Sequence, residues 1–140
     1  MPSGQQLQVV PLLLLHGWPG SFVEFRRALQ LLSRPRPGHQ MVFELICPSL
    51  PGYGFSSAAA RPGLGVPEVA ATMRKLMLRL GFERFFVQGG DWGSAIANTM
   101  GTMYPDNVRG KPPDDKGQGS FHKVNIGGYY GLPVAESYNM

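Results

Sequence analysis

Short, unbroken apolar runs alternate with helically periodic stretches from Leu7 to Tyr104. "LQVVPLLLL" (7–15), "MVFELIC" (41–47) and "RFFVQ" (84–88) have the length and the branched or aromatic content of strands buried on both faces. Pro11 offers no N–H, so the first run is expected to enter the sheet late. Between the runs, Ser21 and Glu24 stand at capping-box spacing, with Phe22, Phe25, Leu29 and Leu32 following on one side of a helix. Pro67 occupies the first turn of a second helix; Val69, Met73, Leu76, Met77 and Leu80 share its face, and Gly81 is placed to stop it. A third helix runs through "SAIANTMGTMY" as far as Pro105. Strand, helix, strand, helix, strand, helix calls for parallel strands joined by right-handed crossovers. The expected class is α/β, a parallel sheet of about three strands with flanking helices and its chemistry along the carboxyl edge of the strands.

With 140 residues, 43% of them hydrophobic and 16% charged, the chain has room for one globular core. Its net charge of +4 is scattered over Arg26, Arg34, Arg74, Arg79, Arg84 and others, with no aromatic-basic pattern. Nucleic acid is therefore not expected as a partner. Cys47 is the only cysteine, which rules out an intrachain disulfide, and its place at the end of an apolar run makes it a core thiol. Val9 to Leu15 is too short to cross a bilayer and has no basic flank, so no anchor or signal peptide is expected. Beyond the core, taken as residues 1–110, "KPPDDKGQGS" follows neither period. Residues 111–140 are expected to form a divergent tail, loop or disordered, with at most a short strand around Val124 and Ile126. The absence of a cysteine-histidine ligand cluster and of a phosphate-binding glycine loop leads to the expectation of no metal and no other cofactor.

Chemistry enters at "VQGGDWGSA" (87–95). Gly89, Gly90, Asp91, Trp92 and Gly93 fit the pattern small, any, nucleophile, any, small. In that pattern a tight strand-to-helix turn holds the nucleophile in a strained conformation, and the small residues let the backbones pass. An ordinary helix N-cap is the alternative role for an aspartate at this place. "HGWPG" follows the first strand directly, where enzymes of this architecture place an oxyanion loop. Pro19 cannot donate, so the Trp18 amide is the expected donor, with the Trp92 amide as its partner. His16, just before that loop with Gly17, is expected to serve a structural hydrogen bond rather than act as a base.

Taken together, "HGWPGSFVEF", "ELICPSLPGYGFS", "KLMLRLGF" and "QGGDWGS", in that order between Pro11 and Gly110, resemble the α/β-hydrolase fold in its aspartate-nucleophile branch. The resemblance is greatest to microsomal-type epoxide hydrolases. It implies a partial α/β-hydrolase fold, a small-molecule epoxide as substrate and a vicinal diol as product. Residue chemistry is consistent with it: an aspartate, with an ordinary pKa of about 3.9, is already anionic at neutral pH. Attack on an sp3 carbon bearing a strained oxygen then gives an ester, which water must open through a tetrahedral oxyanion. Tryptophan after the nucleophile is also found in haloalkane dehalogenases, which stay as an alternative; "HGWPG" and "PGYGFS" favour the epoxide branch. Within "PGYGFS", Pro51, Gly52, Tyr53 and Gly54 are read as turn residues.

The family's lid, late histidine and acidic partner lie far downstream of the nucleophile, so a truncated member with an incomplete site is expected. His122 is a weak candidate base, with Asp114, Asp115 or Glu136 to orient it and Tyr129 or Tyr130 as an acid; none stands in a family motif. Family members are tied to the endoplasmic reticulum membrane, and this chain, lacking the anchor, is expected in the cytoplasm. Two function classes stand side by side. One is a hydrolase whose aspartyl ester accumulates, and the other is an inactive fragment or interaction partner that associates through exposed sheet edges.

Overall fold

A computed structural model describes residues 7–38 and 41–109. The expectations for residues 111–140, His122 among them, lie outside these. Three strands form: β1 (Gln8–Leu15), β2 (Met41–Ile46) and β3 (Phe86–Gly89). They make one parallel sheet in the order β2-β1-β3. Helices α1 (Arg26–Leu32), α2 (Val66–Arg79) and α3 (Trp92–Met103) follow the strands in turn. The expected α/β architecture with a three-stranded parallel sheet is what the chain adopts.

β1 is the central strand because it is the most apolar. Leu12, Leu13, Leu14 and Leu15 are all essentially inaccessible to water, and alternate members feed cores on opposite faces. Leu13 and Leu15 join Ala70, Met73 and Met77 of α2, Ile96, Ala97 and Met100 of α3, and Phe85 and Val87. Leu12 and Leu14 join Val10, Phe43 and, from α1, Leu32. β2 departs from the expectation of burial on both faces: Phe43 is buried and Glu44 exposed, as suits an outer strand. Pro11 does not delay entry toward β2, since pairing begins at Gln8↔Met41 and Pro11 lies opposite Glu44. The β3 side is joined only from Leu12, so the first half of β1 is paired on one side alone, where a proline is tolerated.

The helices start and stop for local reasons, with three departures from expectation. Ser21 caps a 3-10 turn, Phe22–Phe25, its Oγ accepting from Val23 N at 3.3 Å, and α1 proper begins only at Arg26. In α2, Glu68 accepts from the amide of Gly65 (2.9 Å) at the first turn. Its other end closes as expected at Gly81, whose φ is +91°; the amides of Gly81 and Phe82 reach back to Leu78 O and Met77 O. Leu80, expected on the buried face, is half exposed, because it is the C-cap residue and the chain has already turned away. Ala70 takes a core place instead. α3 ends at Met103, just ahead of Pro105.

After α3 the chain returns to the sheet. Phe85 N donates to Asn107 O (2.9 Å) and Arg109 N to Phe85 O (2.8 Å), a parallel bridge between Phe85 and Val108 on the outer side of β3. The chain leaves β1 toward α1 on one face and reaches β3, on the opposite flank of β1, through α2 on the other. This reversal of strand order makes the carboxyl ends of β1 and β3 a topological switch point, the place where open α/β sheets form their ligand crevice. "HGWPG" leaves β1 and "GGDWG" leaves β3 at that place.

Candidate active site

The turn from β3 into α3 is made by close backbone passage. A Cβ at Gly89 would collide with the backbone of Gly93 and with Ser94 N, and a Cβ at Gly93 would collide with the carbonyls of Leu15 and His16. Both glycines are needed because strand, turn and helix share one small space. Gly90, between them, faces open space and carries no such requirement. Asp91 is driven into the left-handed region, φ 53° and ψ −123°, and among the described residues it is the one non-glycine with positive φ. Strain of this kind, on the order of 1–3 kcal/mol, persists only where the surroundings enforce it.

The backbone and the side chain of Asp91 serve different partners. Its backbone carbonyl accepts from Ser94 N (3.0 Å) and Ala95 N (3.3 Å), opening α3, while its carboxylate makes no capping bond to the helix. Instead Oδ2 accepts the amide of Trp18 at 2.9 Å, across 73 residues of sequence. Hydrogen bonds from the Trp18 amide first, and then from the Trp92 amide, hold the carboxyl below its ordinary value, with desolvation a minor opposing effect. One backbone amide, that of Trp18, thus reaches across from the β1 loop to an exposed carboxylate.

Gly17 permits the approach. A Cβ there would lie 2.5 Å from Asp91 Cβ and 2.7 Å from Oδ2. The Trp18–Pro19 peptide is cis, and Gly20 N donates to Gly17 O (2.7 Å), closing the turn that presents the Trp18 amide. Pro19 contributes no donor of its own. Both tryptophan rings lie open, Trp18 at 72% exposure and Trp92 at 51%, so the two residues meet the carboxylate through their backbone and offer their rings to solvent.

His16 is fully buried and both its nitrogens are engaged. Nε2 accepts from Leu50 N at 2.9 Å, which leaves the proton on Nδ1, 3.0 Å from Gly17 O, to be donated there. Neither nitrogen is free to take a proton from a reacting group. Sequence reasoning set Tyr53 aside as a turn residue. Its ring stands edge-on to His16 (5.3 Å between centroids) and to Trp18 (6.2 Å), so it lines the same loop. The available signal was the size mismatch of one large aromatic between Gly52 and Gly54. Cys47 is half-buried, and burial pushes its thiol up to about 11, as befits an inert packing thiol. No group of three or more His, Cys, Asp or Glu side chains among the described residues could hold a metal ion.

Comparison with known proteins agrees with this geometry. Residues 10–110 match the family described as alpha/beta hydrolase fold. Juvenile hormone epoxide hydrolase 1 of Ctenocephalides felis is 57% identical over 107 residues, covering 76% of this chain and 23% of that protein. Epoxide hydrolase 1 of Sus scrofa is 48% identical over 113 residues, 79% of this chain and 24% of its own length. Among solved structures, the juvenile hormone epoxide hydrolase of the silkworm Bombyx mori superposes with a TM-score of 0.74 at 49% identity, over 77% of this chain and 28% of that one. An enantioselective mutant of an Aspergillus niger epoxide hydrolase does so with 0.64 at 40% identity, over 73% and 27%. The chain spans about a quarter of the length of the curated relatives it matches. A central apolar strand, a strained aspartate at the switch point and the Trp18 amide bonded to its carboxylate fall within the matched region; the chain belongs to the α/β-hydrolase fold family, and its relatives there are epoxide hydrolases.

Proposed function

We propose that this chain carries the nucleophile half of an epoxide-opening site, with Asp91 as nucleophile and the Trp18 and Trp92 amides as its anion hole. The observation that carries the reading is the 2.9 Å hydrogen bond from Trp18 N to Oδ2 of an exposed aspartate in a strained turn. With Oδ2 engaged there, the other oxygen, Oδ1, attacks an epoxide carbon. One C–O bond of the ring breaks as the ester C–O bond forms, and the alkoxide takes a proton from an acid or from water. In the second half-reaction, water adds to the ester carbonyl and the negative charge collects on Oδ2, which already accepts from Trp18 N, with the Trp92 amide as the proposed second donor. Preorganised donors of this kind contribute about 10²–10³ in rate each. The names of the relatives support an epoxide over a halide as the electrophile.

Hydrolysis of the ester needs a base to activate water, worth about 10²–10⁴-fold. Among the described residues the one histidine is His16, and its ring is fully engaged. With the described residues alone, the ester is therefore expected to outlast its formation. Incubation with a small aryl epoxide, followed by intact-mass measurement and peptide mapping, tests this. A single adduct on Asp91, absent in Asp91→Asn, is the expected result. An adduct that survives Asp91→Asn removes Asp91 from the mechanism. No adduct on folded protein sinks the enzymatic reading in favour of an inert or partner-binding fragment.

A further inference from the structure

The turn that presents the Trp18 amide has little of its own to hold it in place. Gly17 and Gly20 lack side chains, Pro19 lacks a donor, and the Trp18 ring is mostly in solvent. One internal bond, Gly20 N to Gly17 O, closes the turn but does not fix where it sits relative to Asp91. The loop that follows β2 packs against it. We propose that this loop is the buttress of the anion hole, with His16 and Tyr53 as positioning residues that hold the Trp18 amide against the Asp91 carboxylate. The inference rests on the reading of that amide as half of the hole.

Three contacts carry it. His16 links the two loops, accepting from Leu50 N and donating to Gly17 O, so one rigid ring ties the residue before Trp18 to a leucine that is 2% exposed within the main core. Tyr53 stands edge-on to His16 on one side of Gly17 and to Trp18 on the other. At the far end of the turn, a Cβ on Gly54 would lie 2.9 Å from Ser21 Cβ and 2.8 Å from Ser49 Oγ, so the loop packs directly on the residue that opens the following helix. The loop is stiff enough for the task. Tyr53 N donates to Leu50 O (2.9 Å), Ser56 N to Tyr53 O (3.0 Å), Gly52 N to Ser57 O (3.1 Å), and Ser56 Oγ to Ser49 O (2.6 Å). It meets residues 16 to 21 at both ends, at His16 and at Ser21, while the turn after β3 packs on Leu15 and His16 from the other side.

The test reads the Trp18–Asp91 contact itself, without reference to turnover. In the full chain, NMR titration follows the Asp91 carboxyl carbon and the Trp18 amide proton, which should move together through their shared hydrogen bond. His16→Gln keeps an acceptor within reach of Leu50 N, whereas His16→Asn is too short to reach it; Tyr53→Phe keeps the ring and Tyr53→Ala removes it. The expected result is that His16→Asn and Tyr53→Ala raise the Asp91 midpoint toward the ordinary carboxylate value and uncouple the Trp18 amide. His16→Gln and Tyr53→Phe should behave as the parent. If His16→Asn does not fold by circular dichroism, the partly exposed Tyr53 pair decides. Folded Tyr53→Ala with Asp91 and Trp18 still titrating together overturns the proposal, as does a conservative variant that fails as badly as its disruptive counterpart. Failure of the parent chain to react with an epoxide leaves this readout unchanged and counts against the proposed function alone.

Discussion

At the scale of single residues, the site depends on what two backbone amides do to one carboxylate. Because those hydrogen bonds favour the charged form, Asp91 stays ionised to lower pH than an ordinary aspartate, near pKa 3.9. Epoxide labelling of Asp91 is therefore expected to fall with acid at a midpoint below the ordinary aspartate value; a midpoint at or above that value would contradict the geometry. The linkage to folding has the matching sign. A depressed folded-state value contributes stability that is present above the ordinary value and is lost as pH falls through the depressed one. Gly17→Ala attacks the same contact sterically, since its methyl would lie 2.5 Å from Asp91 Cβ. It should displace Asp91 from the Trp18 amide, raise the carboxyl's midpoint and lower stability by about 1–3 kcal/mol, as read by NMR titration and urea unfolding.

Elements in this chain are ended as deliberately as they are begun. α2 stops at a left-handed glycine with two reverse hydrogen bonds, and nothing lies within 4 Å of where a Cβ on Gly81 would stand. Gly81→Ala thus isolates the conformational term: a loss of about 1–2 kcal/mol in urea unfolding, with Asp91 labelling unchanged. A larger loss would mean that Gly81 has a packing role that its open surroundings do not show. α3 obeys a different rule at its start. Its first residue follows a strained aspartate that gives up the usual side-chain cap, so the helix is opened by the Asp91 carbonyl alone while the carboxylate is directed across the sheet to β1's loop.

For the molecule as a whole, we propose that the outer side of β3, as far as the described residues cover it, bears on association in solution. Phe85 directs both its N–H and its C=O outward to the 107–109 segment, and in a parallel strand Val87 and Gly89 face the same way. Among the described residues that side carries only the Phe85–Val108 bridge. An open parallel edge invites pairing with another chain. Sedimentation across a range of concentrations is expected to show association that rises with concentration and is the same in Asp91→Asn; a monomer at every concentration would count against edge pairing. No helix of the described residues is long and apolar enough to cross a membrane.

Much of this was legible in the linear order of residues, because strands, helix ends and close backbone passages are local events. Four consecutive leucines make a central strand, Gly81 and Pro105 end helices wherever the helices lie, and glycines on either side of Asp91 are needed by any turn that tight. Face and partner are not local. Periodicity places Leu80 on the buried side of α2 and leaves Ala70 out; the end of the helix at Leu80 turns the first outward, and the elements that cover α2 bury the second. Tyr53 read as a turn residue because nothing nearby in sequence needs its ring, while His16 and Trp18, which do, arrive from another strand. The residue types required for an aspartate nucleophile and its donors were readable from the chain alone. That the carboxylate leaves its own helix for an amide 73 residues away was decided only when β1 and β3 came to lie side by side, because a hydrogen bond depends on distance in space.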